Sequence, residues 1–231
     1  MSLWKDFLEN RNRETFKCHN YFPVYERHFA SWKNRSLVFM EIGVDKGGSL
    51  QMWQRYFGPM AKIIGIDINP ECKKLEQPGI FIRIGDQSSP EFLQSVIDEF
   101  GAPDIVLDDG SHHMKHISAT FNYLYPKQHK NALYMVEDLC TCYWEEYGGG
   151  IDRQESFITI TKNLIDSLNA DHSRGAITPD SFTRQTFAIA CYDGIIVFEK
   201  GDVWRKECCR TGGKPAHGFR SLLKKIFSGT R

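Results

Sequence analysis

An uninterrupted apolar run that ends in two adjacent acids, within residues 103–113, restricts the possible fold more than any other stretch. The run occupies residues 105–107, and its β-branched and aliphatic side chains are typical of a strand buried on both faces of a parallel sheet. Asp108 and Asp109 follow directly, and two carboxylates cannot enter an apolar core as unpaired charges. The stretch therefore predicts an α/β fold in which these acids face a crevice, a ligand or a metal.

Strand-like and helix-like segments alternate along most of the chain. Short apolar runs predict strands at residues 36–42, 61–68, 79–84, 105–107 and 131–136. Amphipathic stretches predict a helix that ends near residue 57 and others at 90–100, 114–129 and 156–169. Two further runs, 186–192 and 195–200, are joined by Asp-Gly, which is typical of a tight antiparallel hairpin. We therefore expect an α/β fold with a doubly wound, mostly parallel seven-stranded sheet that closes with an antiparallel hairpin.

The 231 residues divide into three predicted parts. Residues 1–35 carry many aromatic and charged side chains at helical spacing, and they predict an N-terminal helical cap over the core. Residues 36–202 carry the alternating pattern and form the main domain. Residues 203–231 form a basic C-terminal tail, and a tail of this kind is usually a solvated end.

The composition argues against several classes of protein. Lys and Arg together number 29 and so do Asp and Glu, so no general basic field favours nucleic acid as a partner. The longest apolar runs have the length of strands, and residues 1–13 lack an apolar signal core, so we expect no membrane span and no secretion signal. Seven cysteines without a C-x-x-C pair are typical of a reduced, cytoplasmic protein.

A glycine-rich turn follows the first predicted strand and leads into a helix. Gly43 and Gly47 let the backbone approach a ligand closely, and the free amides near Ser49 favour polar or anionic groups. Asp45 replaces the second glycine of the nicotinamide-dinucleotide fingerprint, which weakens that prediction. Asp67 ends the second strand a little over twenty residues after Gly43, the separation at which an acid can accept hydrogen bonds from both hydroxyls of an adenosine ribose.

Acids also follow the third and fifth predicted strands. Asp86 comes directly after a glycine and could accept a bond from an adenine amino group, although Asp after Gly is also common turn chemistry. Glu137 and Asp138 form a second pair of adjacent acids. Because the tips of parallel strands meet at one edge of a sheet, we expect this second pair to converge with Asp108 and Asp109.

Other interpretations fit the same residues. His112 and His116 lie one helical turn apart and could bind zinc or iron together with Asp109, although this leaves residues 137–138 without a role. The acid pairs could also be capped turns in a solvated loop. A dinucleotide-binding dehydrogenase, or a protein that binds a nucleotide cofactor without turnover, is also compatible with the pattern.

Several motifs together resemble those of the class I S-adenosylmethionine-dependent methyltransferases. They are Glu-Ile-Gly-Val-Asp-Lys-Gly-Gly-Ser at 41–49, Gly-Ile-Asp-Ile-Asn-Pro at 65–70, Gly-Asp at 85–86 and the terminal hairpin. The resemblance covers residues 36–201. It implies a Rossmann-like methyltransferase fold that binds S-adenosylmethionine.

A narrower resemblance comes from the two acid-ended strands. Leu-Asp-Asp-Gly-Ser-His-His at 107–113, followed by Val-Glu-Asp at 136–138, is similar to the metal-dependent sugar O-methyltransferases of the macrocin and mycinamicin type and their cephalosporin-hydroxylase-like relatives. This resemblance implies Mg²⁺-dependent methylation of a hydroxyl on a sugar or glycosylated natural product, in a homo-oligomer. A catechol acceptor, with two phenolic oxygens in place of a sugar diol, is the alternative within the same class.

The resemblance also implies roles for individual residues. Asp109, Glu137 and Asp138 are expected to hold Mg²⁺, and His112 is expected to act as the catalytic base. The residues expected to bind the cofactor are Glu41, Gly43, Gly47, Ser49, Asp67, Ile68, Asp86, Gln87 and Asp108.

Overall fold

The computed structural model describes residues 2–203 together with Lys206 and Cys208. Strands in this part of the chain are β1 (Leu37–Ile42), β2 (Ala61–Asp67), β3 (Ile80–Ile84), β4 (Ile105–Asp108), β5 (Leu133–Val136), β6 (Thr186–Cys191) and β7 (Ile196–Lys200). Its α-helices are α1 (Leu3–Leu8), α2 (Phe22–Phe29), α3 (Gly48–Phe57), α4 (Pro90–Phe100), α5 (Met114–Leu124), α6 (Phe157–Leu168) and α7 (Ser181–Gln185). The predicted tail at 203–231 lies almost wholly outside the described residues.

The strands form one seven-stranded sheet in the order β3-β2-β1-β4-β5-β7-β6. Strands β1 to β5 run parallel to one another, whereas β7 pairs antiparallel with both β5 and β6. The predicted sheet and its closing hairpin are therefore confirmed. Gly194 supplies the positive φ, 78°, that the tight turn between β6 and β7 requires.

Side chains on alternate strand positions fill two apolar layers, one on each face of the sheet. On one face the N-terminal helices and α3 cover a layer that includes Phe39, Ile63 and Trp53. On the other face α4, α5 and α6 cover a layer that includes Met40 and Phe121. Burial on both faces explains why the central strands are apolar without interruption.

Helix α5 begins at Met114, as predicted, but its N-cap is not the residue that the sequence favours. Ser111 is a typical N-cap residue, yet His113 occupies the N-cap position. The Ser111 hydroxyl instead lies 2.9 Å from His116 Nδ1. The helix also ends at Leu124, five residues before the predicted end, and a short 3₁₀ turn that contains Pro126 follows it.

Residues 2–35 pack into the same core as β1 and α3. Tyr25 and Phe29 of α2 are fully buried, and both rings contact Trp53, with centroid distances of 5.1 and 5.6 Å. His28 joins α2 to the last strand through a 3.0 Å contact with Glu199. The N-terminal segment thereby packs against the same face of the sheet as α3. Among the described residues, no helix is both long and apolar enough to cross a membrane.

Candidate functional site

The turn after β1 brings three strand ends into contact. Gly43 has φ of +95°, and a side chain there would place a Cβ only 2.1 Å from the carbonyl oxygen of Asp109. The Gly43 amide donates to Ile66 of β2, while the Asp109 amide donates to Ile42 of β1. Only glycine permits this approach. The turn therefore determines the distance between the loop after β4 and the start of α3.

Asp67, at the end of β2, organises the backbone of that turn. Its Oδ2 accepts hydrogen bonds from the amides of Val44 and Asp45, at 2.8 and 3.2 Å. Its Oδ1 accepts from the amide of Asn69 at 2.8 Å. The carboxylate therefore shapes the rim of the cavity, and Oδ1, which accepts only one of these bonds, keeps a lone pair for a further donor.

The loop after β3 supplies Asp86 and Gln87. Asp86 accepts two 2.7 Å hydrogen bonds, from the backbone amide and the hydroxyl of Ser88, and these bonds lower its pKa. Gln87 is buried and donates to Asp108 at 3.2 Å, while its carbonyl oxygen accepts from the Ser111 amide at 2.8 Å. Gln87 therefore joins the loop after β3 to the loop after β4. Burial raises the pKa of Asp108 to about 7.

Three side chains at the ends of β4 and β5 face one another across the open part of the site. Asp109, His112 and Asp138 can bring ligand atoms within 4.8 Å of one another. His112 Nε2 lies 3.9 Å from Asp109 Oδ1 and 3.8 Å from Asp138 Oδ2. These side chains are each between one-fifth and one-third exposed, so the group is open to the cavity.

A second group of acids lies deeper, and a lysine of the N-terminal segment occupies it. Glu41, Asp109 and Glu137 can also bring carboxylate oxygens within 4.8 Å of one another. Lys17 Nζ contacts all three acids; its distance to Glu41 Oε1 is 3.3 Å, and its contacts with Asp109 and Glu137 are shorter. The Lys17 side chain is only 3% exposed. Asp109 belongs to both groups, which we call the outer group (Asp109, His112, Asp138) and the inner group (Glu41, Asp109, Glu137).

Burial and close contacts change the pKa values of the inner group. Burial opposes the charge on Lys17, but Asp109 and Glu137 outweigh that effect and raise its pKa well above the ordinary value, so it stays an ammonium. Burial, reinforced by the charge of Asp109, raises the pKa of Glu137. Burial also raises the pKa of Glu41, so Lys17 lies among acids of which two are less readily ionised than usual.

Two tyrosines of the N-terminal segment complete the hydrogen bonding of the acids. Tyr21 donates its hydroxyl to Asp138 Oδ1 at 2.7 Å, and the fully buried Tyr25 donates to Glu137 Oε2. Burial and these bonds to carboxylates raise the pKa of both tyrosines, which keeps them as donors.

A cavity of about 520 Å³ opens at this edge of the sheet. Most of the predicted site residues line it, together with His116 and residues 14–18 of the N-terminal segment. The predicted residues on its wall are Gly43, Ser49, Asp67, Ile68, Asp86, Gln87, Asp109, His112, Glu137 and Asp138. Glu41, Gly47 and Asp108 are not on the wall.

The three predicted residues that do not line the cavity have structural roles beside it. Glu41 is fully buried and accepts from the Ser49 hydroxyl at 2.7 Å and from the Trp53 indole at 3.1 Å. Gly47 has a positive φ and caps α3, and Asp108 holds Gln87. The predicted cofactor role of these three residues stays a prediction.

The histidine pair that suggested zinc or iron does not form one cluster. Within residues 2–203, His112 joins Asp109 and Asp138, whereas His116 belongs to neither group of close ligand atoms and bonds to Ser111 instead. This arrangement argues against a site made of two histidines and one carboxylate.

Sequence reasoning missed Lys17. Its contacts with Asp109 and Glu137 join residues 92 and 120 positions apart, and no local pattern marks such a pair. A lone lysine in an aromatic stretch is the only signal that the sequence offers. Tyr21 and Tyr25 lie in the stretch that predicts a helical cap, and their hydroxyls bond to acids of the site.

Comparison with known proteins gives consistent matches, although no protein-family model matches the chain. The chain is 34% identical over 229 residues to the mycinamicin VI 2''-O-methyltransferase of Micromonospora griseorubida, which covers 91% of this chain and 55% of that protein. It is 37% identical over 177 residues to the 8-demethyl-8-alpha-L-rhamnosyl tetracenomycin-C 2'-O-methyltransferase of Streptomyces olivaceus, covering 73% and 46%. The chain thus spans about half the length of the curated relatives it matches.

A solved structure agrees with these relatives. The methyltransferase MycE of the mycinamycin biosynthetic pathway, in complex with Mg, S-adenosylhomocysteine and mycinamycin VI, superposes with a TM-score of 0.77 and 30% identity. The match covers 97% of this chain and 58% of MycE. The fold is that of a class I S-adenosylmethionine-dependent methyltransferase. Within that class, the chain is a relative of the sugar O-methyltransferases of natural-product biosynthesis, as its motifs indicated.

Proposed function

We propose that this chain transfers a methyl group from S-adenosylmethionine to a sugar hydroxyl of a glycosylated natural product, with Mg²⁺ at the acidic site. The observation that carries the proposal is the presence, in one cavity, of the turn around Gly43 and Asp67 and of the outer group. Two relatives, 34 and 37% identical to this chain, support it, because their names describe the methylation of glycosylated acceptors.

The donor set suits Mg²⁺. Carboxylate oxygens are the hard ligands that this ion prefers, and Asp109 and Asp138 each present an oxygen to the cavity wall. When bound, S-adenosylmethionine supplies an electrophilic methyl group, and Mg²⁺ supplies a Lewis acid that holds the acceptor oxygen.

The residues of this chain then bind, orient and deprotonate the acceptor. His112 Nε2 faces the acceptor side of the outer group, where a neutral imidazole can take the hydroxyl proton as the new C–O bond forms and the methyl–sulfur bond breaks. Asp67 and Asp86 line the same cavity, which supports their assignment to the ribose and the adenine. Holding both reactants in one orientation can supply about 7–11 kcal/mol of the barrier reduction.

The proposed class of acceptor, a glycoside, is inferred from the names of the relatives, and the cavity is compatible with it. Phe16 and Ile68 line the cavity while remaining 83% and 72% exposed, so apolar surface borders the polar site. A glycoside presents the same combination of an apolar aglycone and a polar sugar. A cytoplasmic location and a homo-oligomer, with no nucleic-acid partner, belong to the same proposal.

A direct assay tests the proposal. Incubation with S-adenosylmethionine and a panel of glycosides, including mycinamicin VI and demethylmacrocin, should give a singly methylated product with Mg²⁺ and none with EDTA. A catechol panel run in parallel tests the alternative acceptor.

Asp109→Asn is the matched variant for the metal part of the proposal. Because Asp109 lies in both acid groups and its carboxylate makes no contact that shapes the turn at Gly43, we expect turnover to fall at least about 100-fold while cofactor affinity changes little. Loss of cofactor binding in a folded Asp109→Asn protein would count against these roles.

A further inference from the structure

Two tyrosines of the N-terminal segment bond to the two adjacent acids at the tip of β5. We propose that Tyr21 and Tyr25 are positioning residues of the metal site, each of which holds one oxygen of a ligand carboxylate so that the other oxygen is presented to Mg²⁺. The inference rests on the proposed function, with Mg²⁺ held by Asp109, Glu137 and Asp138. It gives the N-terminal segment a part in metal binding that the names of the relatives do not describe.

The bond from Tyr21 divides the oxygens of Asp138. The tyrosine donates its hydroxyl to Oδ1 at 2.7 Å. Oδ2 lies 3.8 Å from His112 Nε2, and both residues line the cavity. The terminal torsion of an aspartate is broad, so an unbonded carboxylate could rotate. The bond therefore selects the orientation in which Oδ2 faces the site.

The bond from Tyr25 has the same effect on Glu137, at greater depth. The tyrosine donates to Oε2, and both side chains are almost completely removed from water. Oε1 lies on the side of Asp109, because the ammonium of Lys17 contacts Oε1 and Asp109 Oδ2 together. A carboxylate oxygen that accepts one hydrogen bond retains a second lone pair, so Oε1 is still able to bind a metal.

The two tyrosines are held in place by packing that does not involve the acids. The ring of Tyr25 contacts Trp53 and Phe29, whose centroids are 5.1 and 5.9 Å away. The hairpin turn between β6 and β7 lies against the hydroxyl of Tyr21, because a Cβ at Gly194 would be only 2.6 Å from that oxygen. A side chain whose conformation is fixed by packing is suited to orient a metal ligand.

Hydrogen bonds to the ligands of a metal contribute to its affinity. They fix the orientation of the ligand before the metal binds, and the loss of such a partner typically weakens binding about 10–100-fold. Phenylalanine keeps the ring and its packing but cannot donate a hydrogen bond. We therefore expect Tyr21→Phe and Tyr25→Phe each to weaken Mn²⁺ binding about tenfold or more. The EPR spectrum of the bound Mn²⁺ should change as well, because the carboxylates reorient.

Tyr56→Phe is the matched control. The Tyr56 hydroxyl donates to Glu26 at 3.0 Å, so this variant also loses one bond from a tyrosine to a carboxylate. Both residues lie outside the set that lines the cavity. We expect Tyr56→Phe to keep the wild-type affinity for Mn²⁺. If the other two tyrosines only stabilised the fold, all three variants would lose free energy of unfolding and keep the wild-type metal affinity.

The test is a Mn²⁺ titration, followed by EPR and calorimetry, of the wild type and the three variants, with urea unfolding of each protein in EDTA. Weaker binding in Tyr21→Phe and Tyr25→Phe, with wild-type affinity in Tyr56→Phe, supports the proposal. Wild-type affinity in either of the first two variants, or equal weakening in all three, overturns it. If Tyr25→Phe does not fold, Tyr21→Phe and the control decide.

The wild type separates this inference from the proposed function. If the wild type binds no Mn²⁺, the metal part of the proposed function fails, and this inference fails with it. If the wild type binds Mn²⁺ and the tyrosine variants bind it equally well, only this inference fails.

Discussion

At the scale of single residues, two side chains of the site sit on unusual backbone. His112 and Asp138 both have φ of 57°, in the left-handed region that residues other than glycine seldom occupy. His and Asp tolerate this region better than β-branched residues do, and the strain turns the chain sharply just after β4 and β5. The turn directs both side chains to the same point in the cavity. The sequence shows residue types that permit such a conformation but not the conformation itself.

The role of His112 gives the first prediction at this scale. His112→Gln keeps a polar side chain but cannot accept the acceptor's proton at neutral pH, so we expect kcat to fall about 10²–10⁴-fold with little change in metal affinity. Steady-state kinetics and a Mn²⁺ titration measure the two quantities separately. His113→Gln, on an exposed neighbour, is the control. Near-normal turnover in His112→Gln would show that another group takes the proton.

At the scale of elements, the turn after β1 is the part of the site that tolerates least change. Gly43→Ala would force a Cβ against the Asp109 backbone at a positive φ, so the loops after β1 and β4 would have to separate. We expect a loss of about 2–4 kcal/mol in the free energy of unfolding, together with weaker cofactor binding.

Urea unfolding and calorimetry check this prediction. Gly101→Ala is the matched control, because Gly101 also has a positive φ, 93°, but a Cβ there meets no atom within 4 Å. It should cost only about 1 kcal/mol, from backbone strain alone. Equal costs for the two substitutions would show that the close approach to Asp109 is unimportant.

The contact between α2 and β7 predicts a pH dependence. The hydrogen bond from His28 lowers the pKa of Glu199 below its ordinary value of 4.5, against the opposing effect of burial. A carboxyl group whose pKa is lower in the folded state adds stability above its unfolded pKa, and this stability is lost as the pH falls through the folded pKa. The contact should therefore stabilise the protein at neutral pH and lose its effect below about pH 4.

Glu199→Gln tests this contact. We expect it to cost about 1 kcal/mol at pH 7 and nearly nothing at about pH 3, as measured by chemical denaturation at both values. Glu146→Gln, on an exposed acid with no ion pair among the described residues, should show no such difference. A cost that is the same at both pH values would contradict the charge-based explanation.

At the scale of the whole molecule, the parts that depend on local pattern could be predicted from the sequence. Each central strand is a short apolar run between turn residues, and Asp193 with Gly194 marks the hairpin, so the sheet follows from periodicity and topology rules. The convergence of Asp109, Glu137 and Asp138 followed from the parallel order of β4 and β5, whereas Asp108, which was expected to join them, is buried and bonds to Gln87.

The rest depends on contacts between distant parts of the chain. The strand tips bring the acids together, but which oxygen faces the cavity depends on Lys17 and Tyr21, which reach the site from the N-terminal segment. The predicted trio of metal ligands, Asp109, Glu137 and Asp138, stays a prediction, and its members are divided between an inner and an outer group that share Asp109. The end of α5 was predicted too late because periodicity continues past the point where a proline changes the geometry.

The most direct test of the central claim is a calorimetric titration of the chain with S-adenosylmethionine and, separately, with NAD, each with Mg²⁺ and with EDTA. We predict roughly micromolar binding of S-adenosylmethionine, weakened in Asp67→Asn, no binding of NAD, and a separate Mg²⁺ titration that Asp109→Asn abolishes. Binding of NAD in place of S-adenosylmethionine would contradict the methyltransferase function, and the chain would then be a dinucleotide-binding protein on a methyltransferase fold.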